Sequence, residues 1–133
     1  MDEPIWLSRL ILDAIHGELI VEHGGAPGVR AGGEHLIESA LARHRQRFDY
    51  SEEADLPELA AAHLYGLTKN HGYVDGNKRI GFAAAATFLL LNGVRLTASE
   101  EEAYDAVIRV ADGRLSAADL AEWIRGRTEI RGG

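Results

Sequence analysis

A chain of 133 residues, 46% of them hydrophobic, can bury a substantial core without covalent staples and is expected to form one domain over 1–133. Its formal net charge of −7 argues against general binding to nucleic acid or anionic membranes, since both rest on clustered positive charge. The absence of cysteine excludes disulfide and thiolate chemistry, and the acidic start Met1-Asp2-Glu3-Pro4 lacks the layout of a signal peptide, so a cytoplasmic protein is expected.

From Leu7 to about Glu22 the residues Leu7, Leu10, Ile11, Ala14, Ile15 and Leu19 recur at helical spacing. This predicts an amphipathic core helix with Ser8 as N-cap and Gly24 as stop. His16 and His23 sit on it without a third ligand nearby, so they read as surface or packing residues rather than a metal site. The stretch Gly24 to Gly33 is a loop by composition. It lacks the pattern of a phosphate-binding glycine loop, which favours a structured connection, and the side that Arg30 faces is left open.

A second helix is expected over Glu34–Arg47, burying Leu36, Ile37, Ala40 and Leu41 and presenting Arg43, His44, Arg45 and Arg47 to solvent. Phe48 to Ala54 then reads as a connecting loop anchored by Phe48 and Tyr50. Asp55 can cap a third helix, with Glu58 at capping-box spacing and Pro57 tolerated in the first turn. Its residues Leu59, Ala60, Ala62, His63, Leu64 and Leu67 lead to His71, with His63 as a packing residue and Thr68 and Asn70 as hydrogen-bonding candidates for fixing the loop.

The stretch His71-Gly72-Tyr73-Val74-Asp75-Gly76-Asn77-Lys78-Arg79 places an imidazole, a carboxylate, an amide, an ammonium and a guanidinium within one loop. Ile80 to Leu91 follows with almost no polar face, and a helix apolar all round is buried. Such a helix needs partners for its first amides, and Asp75-Gly76-Asn77 supplies a turn able to form an anion nest. Lys78 and Arg79 add positive charge where the helix dipole already favours phosphate. Asp75 suits Mg²⁺, which takes one or two carboxylates together with nucleotide phosphate oxygens. His71, with an ordinary pKa of about 6.5, suits a proton acceptor for an attacking hydroxyl. Lys69 and Lys78 are the only lysines and both flank the motif; arginine-biased composition explains this equally well, so Lys69 is a weak candidate for a phosphate or substrate contact.

Beyond the central helix, Val94–Leu96 reads as a short extended segment, and Thr97 or Ser99 can cap a helix opening on Glu100, Glu101 and Glu102. Tyr104, Val107, Ile108 and Val110 are expected in the core. Gly113 ends that helix, Ser116 caps a last one bearing Leu120, Trp123 and Ile124, and Arg127 to Gly133 is expected to fray. The whole predicts an all-α bundle of about six helices around a buried central one, with little support for a strand pair near Val74 or Val94.

The run from His71 to Arg79 resembles the Fic/Doc superfamily signature, His-x-Phe-x-Asp/Asn-Gly/Ala-Asn-Gly/Lys-Arg, and with Lys78 it is most similar to the Doc, or death-on-curing, toxin branch. His23-Gly24-Gly25-Ala26-Pro27-Gly28-Val29-Arg30 resembles that family's Gly-Gly-x-Pro-Gly segment, and the likeness covers nearly the whole chain. Two positions depart: Tyr73 stands where Phe is usual, and Gly72 where many members have Pro. The resemblance implies a kinase that uses ATP and Mg²⁺ to phosphorylate a hydroxyl on a translation factor, elongation factor Tu. It implies His71 as base, Asp75 on Mg²⁺, Gly76 and Asn77 in the anion nest, and Lys78 with Arg79 on the transferred group. No inhibitory Ser/Thr-x-x-x-Glu-Gly/Asn motif is found, so the resemblance implies inhibition by a separate antitoxin that folds as a helix in a groove. Rival readings are an adenylyltransferase, with the nucleotide seated the other way, and a catalytically silent nucleotide-binding or interaction module.

Overall fold

The computed structural model describes residues 2–50 and 53–130, with the side chains of His44 and Tyr50 outside the description. Helices α1 (Arg9–His23), α2 (Gly33–Tyr50), α3 (Leu56–Asn70), α4 (Asn77–Leu91), α5 (Glu100–Ala111) and α6 (Ala117–Arg125) carry the fold. Strands β1 (Val94–Leu96) and β2 (Thr128–Ile130) add a two-stranded antiparallel ribbon that pairs Val94 with Ile130 and Leu96 with Thr128. Helix starts follow the expected caps. Ser8, Asp55, Ser99 and Ser116 each accept a hydrogen bond from an amide three residues on, and the Glu102 side chain in turn accepts from the Ser99 amide.

Helix α4 belongs to both apolar clusters of the molecule. Its C-terminal half, through Ala85, Phe88 and Leu89, packs with Leu59 and Leu64 of α3, Val110 of α5, and Leu120 and Ile124 of α6. Its N-terminal half, through Ile80 and Ala84, packs with Leu12 of α1, Ile37 and Ala40 of α2, and Tyr73. Small residues set the helix spacing: a Cβ on Gly81 would lie 2.5 Å from Thr68 Oγ1 and 3.2 Å from the Leu64 carbonyl, so α4 lies close against α3. Among the described residues, no helix is long and apolar enough to cross a membrane.

Four expectations need correction. On α1 the inward stripe is Leu12, His16 and Ile20, while Leu10 is 81% exposed and Ile11 41%; the His16 ring packs as an apolar plate, so its polar letter hid the true phase of the helix. Helix α2 continues through Phe48 to Tyr50 in place of the expected loop, with the Phe48 ring edge-on to Trp6 at 5.7 Å; residues 51 and 52 of that loop lie outside the described residues. Tyr104 is 71% exposed because Ala103, Ala106, Val107 and Val110 take the inward positions of α5. Arg127 to Ile130 is ordered by pairing with β1, by the Thr97 amide donating to the Arg127 carbonyl at 2.7 Å and by the ion pairs Arg127–Glu102 and Arg95–Glu129, while 131–133 lie outside the description. The ribbon near Val94 therefore forms, and near Val74 there is one isolated bridge, Val29 with Tyr73.

Candidate active site

Helix α3 ends by delivering His71 in a left-handed conformation, φ 54° and ψ 50°, a region that non-glycine residues seldom occupy. Three contacts hold this turn. The His71 amide donates to the Leu67 carbonyl at 3.4 Å, Arg30 Nε donates to the His71 carbonyl, and Asn70 Nδ2 ties the helix end to the Leu36 carbonyl of α2 at 2.8 Å. Arg30, whose orientation the sequence left open, thus supports the site from behind, and Asn70 fixes the helix end as expected. Thr68 Oγ1 is buried and has no hydrogen-bond partner among the described residues.

The next residue must be small. A Cβ on Gly72 would lie 2.5 Å from Ile37 Cγ1, and one on Gly33 would lie 2.0 Å from the Gly72 carbonyl oxygen, so this loop rests directly on the start of α2. Tyr73 then turns inward, 1% exposed, and its hydroxyl donates to Asp13 Oδ1 of α1 at 2.7 Å, which supplies the partner a buried phenol needs. Burial, and then the Asp13 bond, push its ionisation well above the usual range. Asn77 clamps the same residue: Tyr73 N donates to Asn77 Oδ1 at 3.0 Å, and Asn77 Nδ2 donates to the Tyr73 carbonyl at 2.9 Å. Its amide side chain is committed to shaping the loop.

Asp75 is exposed but tethered. Its Oδ2 accepts from the Ala26 amide at 2.7 Å, and its carbonyl is bonded to His16 Nε2 at 2.8 Å. The glycine-rich loop therefore grips the motif rather than cradling phosphate: the Val74 amide also donates to the Gly28 carbonyl and the Arg30 amide to that of Gly72. Gly76, at φ 79° and ψ 16°, opens α4 without any side-chain cap. No side chain caps the first-turn amides, and Lys78 and Arg79 are exposed at the same end, where the helix dipole is positive.

His71, Asp75, Gly76, Asn77, Lys78 and Arg79 line one cavity of about 620 Å³. The rest of its lining is mainly apolar, with Phe82 and Ala83 of α4 and Tyr104, Val107 and Ile108 of α5, joined by the Glu100 carboxylate at the start of α5. Lys69 lies elsewhere, in an adjoining hollow of about 320 Å³ that shares His71 and Lys78 with the cavity and is also lined by Asp112. Among the described residues no group of three or more His, Cys, Asp or Glu could hold a metal. These residues thus form no all-protein cage, whereas one carboxylate whose Oδ2 alone is engaged by Ala26 fits an ion that arrives with phosphate oxygens.

A model of the Fic/DOC family matches residues 6–89, which run from before α1 to the last turn of α4 and include every contact just described between α1, the glycine-rich loop and the motif. The chain belongs to the Fic/DOC family. Among curated proteins, this Fic/DOC chain is similar to "Protein kinase doc" of Escherichia phage P1, at 34% identity over 114 residues covering 86% of this chain and 88% of the phage protein. It is also similar to "Toxin Doc" of Mycolicibacterium smegmatis, at 46% identity over 80 residues, 59% of each chain. Sequence reasoning about this Fic/DOC site missed His16 and Ala26. Their partners lie 59 and 49 residues away, so no local spacing announces them.

Proposed function

We propose that this Fic/DOC chain is a Doc-type toxin of a toxin–antitoxin pair, a cytoplasmic protein kinase that transfers the γ-phosphoryl group of ATP to a hydroxyl of a translation factor and so arrests translation. Elongation factor Tu is the proposed substrate. The observation that carries this reading is the convergence of His71, Asp75, Lys78 and Arg79 on one cavity at the uncapped start of α4.

The residues divide the work as phosphoryl transfer requires, by positioning and by electrostatic stabilisation. The first amides of α4 past Gly76 and Asn77 seat phosphate oxygens. Asp75 would hold Mg²⁺ through Oδ1, and the bound ion supplies charge neutralisation on the phosphates. His71 accepts the proton of the acceptor hydroxyl, whose oxygen bonds to the γ-phosphorus as the bond to the bridging oxygen breaks; the products are a phosphoester, ADP and a protonated His71. Lys78 and Arg79 stabilise charge on the transferred group, the first as a point charge and the second as a planar fork. Lys69, in the adjoining hollow, contacts the approaching acceptor segment or its phosphate. A cognate antitoxin inhibits in trans by folding as an amphipathic helix against the protein.

Incubating the protein with Mg²⁺, ATP and elongation factor Tu, then weighing the intact factor, tests the reading. A gain of one phosphoryl group that vanishes with His71→Ala is expected. A gain of AMP would move the chemistry to adenylyl transfer, and an unmodified factor would remove elongation factor Tu as the substrate. Failure of the protein to bind ATP at all would leave the silent interaction module.

A further inference from the structure

Asp75 is an exposed residue of the short connection between α3 and α4, where a carboxylate would ordinarily sample several orientations. Here it is held at both ends, its main chain by His16 and its side chain by the Ala26 amide. We propose that His16 is a positioning residue for Asp75, an α1 side chain that fixes the backbone from which the ion-holding carboxylate projects. The inference rests on the reading of Asp75 as the Mg²⁺ ligand.

The geometry is restrictive. A carbonyl oxygen only accepts, so His16 Nε2 carries the proton and donates it to Asp75 across 2.8 Å. The ring is 3% exposed and lies flat on Tyr73, with centroids 3.8 Å apart and planes 13° from parallel. Tyr73 is in turn fixed by Asn77 on its backbone and by Asp13 on its hydroxyl. The ring cannot swing away without losing its stack on Tyr73 and its bond to Asp75. Gly76 lies against the same ring: a Cβ there would make only ordinary contact with His16 Nε2 at 3.5 Å and Ile20 Cδ1 at 3.4 Å, and it is the positive φ of 79° that calls for glycine. A helix remote in sequence therefore sets the position of Asp75 through one directed bond, and Oδ1 remains aimed by the Ala26 contact on Oδ2.

Partners that orient a metal ligand from behind typically change metal affinity by about tenfold to a hundredfold when removed. The test is calorimetric titration of the whole protein with ATP in Mg²⁺ and, separately, in EDTA. His16→Asn, whose shorter amide stops short of the carbonyl, is expected to lose about tenfold to a hundredfold of ATP affinity in Mg²⁺ and almost none in EDTA. His16→Gln, which places an amide donor near the original Nε2, is expected to recover most of that loss. An equal loss in both buffers would mean that His16 only supports the fold and would overturn the proposal, as would His16→Gln binding no better than His16→Asn. Asp75→Asn separates the two readings. If it keeps the Mg²⁺-dependent gain, the assignment of Asp75 fails and the role of His16 with it; if it loses the gain while His16→Asn keeps it, only the positioning role fails.

Discussion

The two halves of α4 are held by different kinds of interaction. Around Phe88 and Leu89 the neighbours are apolar side chains from α3, α5 and α6 together with the buried His63 ring, closed at the rim by the Arg125 fork on Asp55 at 2.8–3.0 Å. Around Ile80 the apolar cluster is smaller, and directed bonds do much of the fixing: Tyr73 to Asp13, Asn77 to Tyr73, His16 and Ala26 to Asp75, and Arg30 to His71. Burial is tolerant of small displacements, whereas a hydrogen bond is not. The first half should therefore govern whether the chain folds, and the second where the reacting groups stand.

The largest separation is expected from one substitution in each half. Phe88→Ala removes a fully buried ring and should cost about 4 kcal/mol of stability in urea denaturation, with ATP affinity of the remaining folded protein nearly unchanged. Arg79→Ala should do the reverse, slowing phosphotransfer about a hundredfold, or about 3 kcal/mol, while leaving the denaturation midpoint where it was. If Arg79→Ala proves as destabilising as Phe88→Ala, the division of labour is wrong.

The same division decides what could be read from the sequence. The apolar half is written locally: Ser99 and Ser116 mark helix starts and the run from Ile80 to Leu91 announces a buried helix. The motif residues were also legible, because six of them are contiguous or nearly so and reach one cavity. What holds the motif was not. Arg30 meets His71 across 41 residues and His16 meets Asp75 across 59, and neither pairing leaves a period or a spacing in the chain. Strand β2 was hidden for a related reason, three residues being too few to show alternation before their partner in β1 is known.

A smaller effect tests the apolar half from the inside. His63 is fully buried against Phe88, with ring centroids 4.6 Å apart, and burial pushes its pKa down to about 4. The unfolded chain takes up this proton below its ordinary pKa of about 6.5, so between the two values the unfolded state binds more protons and stability falls on acidification. From pH 7 to pH 5 this group should remove about 2 kcal/mol, and His63→Leu should abolish that share of the pH dependence while keeping an apolar side chain beside Phe88. An unchanged pH profile in His63→Leu would show that the acid sensitivity arises elsewhere.

The smallest effect concerns the position at which this chain departs from the Phe of the family signature. Tyr73→Phe removes the hydroxyl that donates to Asp13 but keeps the ring stacked on His16. Asp13 is not orphaned by the change, because its side chain is 45% exposed and still pairs with Arg9 at 2.9 Å. Only the net value of one hydrogen bond is lost, about 1 kcal/mol, which should lower the melting temperature by about 4 °C. Asp13→Ala should cost more, since it strands a phenol that burial has already cut off from most of its water and takes a partner from Arg9. A double-mutant cycle on the two positions should then return a coupling of about 1 kcal/mol, with phosphotransfer changed less than threefold (about 0.6 kcal/mol) in Tyr73→Phe because His16 and Ala26 still hold Asp75. A large kinetic loss without loss of stability would instead make the Tyr73 hydroxyl part of the geometry of the site, and would move the boundary between the two halves of α4 outward to α1.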